Sequence, residues 1–162
     1  MRSSAIKGLA NNFQNHPDTL NILKNATNDG SFNGKCTALT QLASNFKDNA
    51  DTLKILKESA IRDEDIDTRQ YAIQLLGRYF KDEPQMWDFL SNCTKNDPFV
   101  RRWESDSNPR ETALRAILQQ YPNHPQNLTL LRELAENDPD EKLREFAQKA
   151  IYRIENITPM RS

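Results

Sequence analysis

Glycine is scarce in this chain: four of 162 residues, too few for glycine-built β-turns or for a family of phosphate-cradling loops. Cysteine is scarcer still. Cys36 and Cys93 form no CxxC pair and no disulfide framework, which is the usage of reduced thiols in a cytoplasmic protein. No run approaches the roughly 18 apolar residues of a membrane span, and the first residues, MRSSAIKGLANNF, contain no apolar signal-peptide core. Neither charge sign dominates: 22 basic and 23 acidic side chains leave a formal net charge of -1, against a dedicated nucleic-acid or membrane surface. Apolar residues make up only 36% of the chain and mean hydropathy is -0.84, lean for one globular core. A stack of small units needs less, because each unit buries only the faces that meet its neighbours.

What the chain has in quantity is self-similarity. AIKGLANNFQNHPDTLNIL from Ala5 matches ALTQLASNFKDNADTLKIL from Ala38, AIQLLGRYFKDEPQMWDFL from Ala72 and ALRAILQQYPNHPQNLTLL from Ala113, with a partial copy placing Ala147 in the same column. One helical face carries Ile6, Leu39, Ile73 and Leu114, then Leu9, Leu42, Leu76 and Ile117, then Phe13, Phe46, Phe80 and Tyr121. A second helix carries Leu23, Leu56, Leu90 and Leu131 on one face. Between them Pro17, Pro84 and Pro125 share a column, as prolines suited to the first helical position. Asn108-Pro109 and Asp138-Pro139 read as further helix starts.

A basic column stands three residues before the alanine: Arg2, Lys35, Arg69, Arg110 and Arg144. An aspartate precedes three of these by six residues, as Asp29–Lys35, Asp63–Arg69 and Asp138–Arg144. Asp-x5-Arg inside a two-helix repeat of this length resembles the HEAT repeat family. The resemblance implies an all-α, right-handed α-solenoid of stacked helical hairpins. It implies a single domain over 1–162, with repeats at about 2–30, 31–65, 66–99 and 100–138 and a terminal helix at 139–156. It also implies that the Asp/Arg columns (Asp29, Lys35, Asp63, Arg69, Asp138, Arg144) form a structural ladder between neighbouring repeats. FKDNADTLKILKESAIRDED, NDPFVRRWESDSNPRETAL and YPNHPQNLTLLRELAENDPDEKLREFA are further similar to the degenerate HEAT arrays of cyanobacterial-type NACHT NTPases. That likeness implies the sensor or protein-binding arm of a larger signalling protein. The repeat beginning at Arg2 shows no polar cap, so a cut segment and self-association through uncapped repeat ends are both expectations.

Candidate chemistry is thin. Gly30–Thr37 fails the P-loop spacing and lacks a preceding strand. Asp63–Asp67 lacks the glycine and glutamate of a calcium loop. His16 and His124 each precede a proline at equivalent turn positions. No catalytic residue, metal site or cofactor is expected, and the function read is protein recognition or ligand sensing.

Two groups are candidates for binding a protein partner. The first is the insert that delays the fourth copy, with Arg101, Arg102 and Trp103: either it projects as a hot spot, or Phe99, Val100 and Trp103 fill a wedge between repeats, or both. The second is a basic column of the second helices, Lys24, Lys57 and Arg132, interrupted by Ser91. The rival functions are a nucleic-acid-binding HEAT-like module and a HEAT-like accessory subunit of a chromophore lyase, the latter needing a reactive Cys36 or Cys93.

Overall fold

The computed structural model describes residues 2–28 and 31–157, without the side chains of residues 2 and 157. Among these residues there are helices and no strand: α1 Arg2–Asn12, α2 Pro17–Ala26, α3 Phe32–Asn45, α4 Ala50–Arg62, α5 Ile66–Tyr79, α6 Met86–Asn96, α7 Pro109–Gln120, α8 Asn127–Asn137 and α9 Glu141–Ile157. None of them is long and apolar enough to cross a membrane. Where the sequence expects one domain, contacts cluster into two compact units, Met1–Met86 and Trp87–Ser162, divided at the start of α6.

In the first unit α1 packs on α2 and α3 on α4, while α3 also lies against α1, α2 and α5, and α4 against α5. The seam between the first two sequence copies is apolar. Ile6, Ala10 and Leu23 of the first copy meet Ala38 and Leu42 of the second, with Leu20, Ala26, Phe46 and Ile55 packed around them. Each fully buried leucine here contributes roughly 1.5–3 kcal/mol relative to exposure. In the second unit α8 packs on α9. Trp87 from α6 stacks on His124, with ring centroids 4.1 Å apart and planes 17° from parallel. Its indole Nε1 donates to Asn127 Oδ1 at 3.0 Å.

The turns inside the hairpins repeat one device. The amide of Phe13, Phe46, Phe80 or Tyr121 closes the preceding helix, and the carbonyl of the same residue accepts the amide three residues on. Thr19 and Thr52 then return a side-chain hydroxyl to that carbonyl at 2.6 and 2.8 Å. Asn127 does the same with its amide at 2.6 Å. The residue after the turn caps the second helix: His16 Nδ1 accepts from Asp18 and Asn49 Oδ1 from Asp51. Such caps satisfy orphan amides and contribute about 1 kcal/mol each. The two histidines are thus turn residues, since His124 Nδ1 likewise accepts the Gln126 amide.

Three helix starts differ from expectation. Pro17 does take the first helical position after the His16 cap. Pro84 and Pro125 instead sit in the turn, two residues before α6 and α8 begin. Asp138-Pro139 does not open α9, because Asp138 closes α8 and the Asp138 carboxylate is engaged elsewhere. Asp140 caps α9 in its place, accepting the Lys142 amide at 3.2 Å.

Candidate functional site

The ladder columns form a buried electrostatic seam. Lys35 Nζ reaches both carboxylate oxygens of Asp63 at 2.9 Å, and Arg110 reaches those of Asp138 at 2.9 and 3.0 Å. Each of these pairs joins the first helix of a hairpin to the residue that closes its second helix. The basic residue six places after the aspartate does something different: Arg69 and Arg144 donate to the main-chain carbonyls of Asp63 and Asp138, at 2.9 and 2.7 Å. Each aspartate therefore serves twice, its side chain holding the hairpin it closes and its carbonyl the helix that follows. Asp29 lies outside the described residues. Two of the four acids of the 63–67 run are engaged in helix capping and turns. Asp63 accepts the Asp65 amide, and Asp65 caps α5 by accepting from Thr68.

The basic column of the second helices is engaged inside the protein. Lys24 pairs with Asp51 at 2.6 Å, and that hydrogen bond holds the Asp51 carboxyl below its ordinary range. Arg132 pairs with Glu155 at 2.9 Å. Lys57 is half-buried on the wall of a pocket of about 360 Å³ with Leu53, Lys54, Glu58, Ile61 and Arg62. Lys24 and Lys57 belong to the first unit and Arg132 to the second.

The insert supplies a built loop. Phe99 is buried, but Val100 is 75% exposed and Trp103 73%, so of the three residues that could fill a wedge only Phe99 is inside. Arg101 runs back under the loop and grips Asp140 with two bonds, Nε to Oδ1 at 3.0 Å and Nη2 to Oδ2 at 2.7 Å. Its third nitrogen, Nη1, donates to the Asp106 carbonyl. The Asp106 carboxylate accepts the main-chain amides of Arg102 and Trp103 at 2.8 and 2.9 Å, closing a tight turn. Lys142 Nζ ties down the far side through the Glu104 carbonyl at 2.7 Å and the Glu104 carboxylate. Asn108 adds a 2.7 Å bond to Asp140. Arg110 donates to the carbonyls of Asp97 and Phe99, both at 2.9 Å, anchoring the start of the insert.

These bonds set the charge state of the site. Burial would raise the Asp140 carboxyl, but hydrogen bonds from Arg101 and Asn108 outweigh it and hold it below the usual carboxylate range. Bonding to Asp140 pushes the Arg101 guanidinium further up. The Lys142 bond lowers Glu104, and the two main-chain amides lower Asp106. Around the resulting pocket of about 430 Å³, Asp140 and Glu104 are therefore ionised acceptors already committed to cations. A general acid near neutral pH needs the opposite tuning. Val100, Arg102 and Trp103 are turned outward from this bonded loop.

Cys36 and Cys93 are both buried in helices, and burial, the first cause for each, pushes their thiols up to about 12. A thiol of that kind is a poor nucleophile for pigment attachment. Among the described residues no group of three or more His, Cys, Asp or Glu is placed to hold a metal.

Arg101, Arg102 and Trp103 are the candidates the structure brings together. Of their supports, Asn108 was read from sequence only as a helix start, and Asp106, Asp140, Lys142 and Glu104 were not singled out. Asn108-Pro109 and Asp138-Pro139 are the sequence signals near them. Comparison with family models, with curated proteins and with solved structures returns no match for this chain.

Proposed function

We propose that this protein is a helical-repeat module of the HEAT type, an α-solenoid element whose task is to capture a protein partner without catalysis. The observation that carries the reading is the loop at 100–106, where an exposed tryptophan, an exposed arginine and an exposed valine stand on a scaffold fixed by Arg101, Asp106 and Asp140. Trp and Arg dominate the energetics of protein interfaces. A loop already held in one shape loses little freedom on binding, which is where preorganised surfaces gain affinity. The pairing of Lys24 and Arg132 within the chain weighs against a basic groove for nucleic acid. The resemblance to the helical arrays of NACHT-type NTPases supports the further reading that such a module serves as the sensor arm of a signalling protein.

The test is affinity capture with nuclease present, comparing the wild type with a Trp103→Ala, Arg102→Ala double variant. The partner retained by the wild type should fall at least tenfold, while melting stays within about 2 °C. Equal retention by both proteins refutes the reading. The mass of the native polypeptide in its cells, read with an antibody, separates a free adaptor from the arm of a larger NTPase.

A further inference from the structure

The run at 30–37 fails as a phosphate-binding loop, yet it holds the one asparagine–glycine step of the chain, Asn33-Gly34. That dipeptide carries its own chemistry. The main-chain nitrogen of the glycine attacks the asparagine Cγ and closes a five-membered succinimide. The side-chain nitrogen leaves as ammonia, taking the proton that the main-chain nitrogen gives up. Water then opens the ring at either carbonyl, giving aspartate or isoaspartate. A side chain on the second residue would crowd the attacking nitrogen, and glycine has none. Water is the only co-reactant.

The structure holds that reaction back. Asn33 and Gly34 are the second and third residues of α3. Asn33 is exposed to water, whereas Gly34 is buried. The Gly34 amide donates to the hydroxyl of Ser31, the N-cap of the helix, at 3.2 Å. The next amide, that of Lys35, donates to the Ser31 carbonyl at 3.0 Å. The Asn33 carbonyl accepts the Thr37 hydroxyl at 2.7 Å. Ring closure needs the Gly34 amide free of Ser31 and the main chain at Asn33 rotated out of the helical well. The restraint is local and modest, because the turn lies at a helix end, contains a glycine and rests on a neutral hydroxyl cap.

The position gives the product a consequence. Two residues on, Lys35 bonds both carboxylate oxygens of Asp63, tying α3 to the close of α4. Aspartate at position 33 would add a negative charge to the amino end of α3, where it is favourable. Isoaspartate would instead add a methylene to the main chain, withdraw the Gly34 amide from Ser31 and loosen the helix start that carries Lys35.

We infer that Asn33 is a modification site, a deamidation centre held silent by the Ser31-capped first turn of α3 and released when that turn opens. The site is separate from the Trp103 loop and acts whether or not that loop binds a partner.

The experiment incubates the full chain at pH 8, folded and in urea, and follows the amide-to-acid mass change at Asn33 by peptide mass spectrometry. Isoaspartate is scored by methyl transfer from S-adenosylmethionine with an isoaspartyl methyltransferase. The folded wild type should convert at least tenfold more slowly than the denatured chain. In urea, Gly34→Ala should slow conversion at least tenfold, the mark of the succinimide route. Folded Ser31→Ala should convert at least threefold faster than folded wild type. Asn49→Ala, which removes the equivalent cap of α4, controls for a general loss of stability and should leave the Asn33 rate within twofold. No conversion in urea, equal rates in the folded and denatured wild type, or a Ser31→Ala rate no faster than wild type overturns the inference. An equal gain in Ser31→Ala and Asn49→Ala also overturns it, because global unfolding and not the first turn of α3 would then be the gate.

Discussion

Arg110 and Asp138 meet side-on through two parallel hydrogen bonds across 28 residues of sequence, and their side chains retain only 4% and 3% of their exposure. Arg110 spends its remaining nitrogen on the carbonyls of Asp97 and Phe99. Removing one partner from such a pair strands a buried charge, at about 3–5 kcal/mol. Arg110→Ala should therefore destabilise the second unit by that amount, and Arg110→Lys by less but measurably, because an ammonium cannot reproduce the fork. Both tryptophans of the chain lie in that unit, so urea unfolding followed by tryptophan fluorescence reads it directly. A loss under 1 kcal/mol in Arg110→Ala would show that the ladder is dispensable.

Asp140 supplies a pH dependence. Its carboxyl is held low in the folded state, so its contribution is present above the unfolded value, about 3.9, and is lost as pH falls through the folded value. Protonation would release Arg101 and Asn108 together. Between pH 5 and pH 2 the wild type should lose stability more steeply than Asp140→Asn, which is already weakened at neutral pH. Thermal melts across that range give the comparison, and parallel curves would remove Asp140 as the acid-sensitive anchor.

The helices and the repeat were legible because apolar residues at steps of 3 and 4 leave few alternatives, and each copy confirms the others. The ladder was legible as columns, whereas the division of labour within it was not. A spacing of six brings Arg69 to the Asp63 carbonyl, but the carboxylate's partner lies 28 residues back, in the first helix of the hairpin that Asp63 closes, and is found only once the two helices pack. Asp138 and Asp140 are equally good caps on paper. Arg110 takes the first, so the helix starts after the second. The Trp103 loop was legible as an insert in the repeat register, but its anchoring was not, since Arg101 and Asp140 are 39 residues apart and nothing in either segment announces the pair.

Phe99 and Trp103 divide the insert between packing and display. Phe99 is buried, and truncation of a buried phenylalanine costs about 3–5 kcal/mol. Trp103 is mostly exposed, and Trp103→Ala should change stability by less than about 0.5 kcal/mol. Chemical denaturation of the two single variants checks the contrast. Equal losses would mean that the exposed indole is a structural element after all.

The thiols of Cys36 and Cys93 should be silent in the folded protein. At pH 8 a disulfide reagent should label neither within hours, and both at once in denaturant. The raised folded values also fix a sign: stability is fully present below the unfolded thiol value, about 8.5, and declines as pH rises toward about 12. Cys93→Ala should flatten part of that alkaline decline. Rapid labelling of either cysteine at pH 8 would instead revive a chemical role for it.

The third hairpin turn differs from its equivalents, and the difference predicts a stabilising substitution. Thr19, Thr52 and Asn127 return a side-chain hydrogen bond to the carbonyl that closes their turn, but the same column holds Met86, which has no donor to return to Phe80. Just before it, Gln85 adopts a φ of 61°, the one non-glycine residue in the left-handed region among those described. For an L-residue that conformation costs roughly 1–2 kcal/mol, and glycine occupies it without the Cβ clash at the expense of a more flexible unfolded chain. Gln85→Gly should therefore stabilise the protein by about 0.5–1 kcal/mol, Gln85→Asn by less, and Gln85→Ala not at all. Denaturant unfolding followed by far-UV circular dichroism orders the three, and a destabilised glycine variant would show that the left-handed turn is not a source of strain.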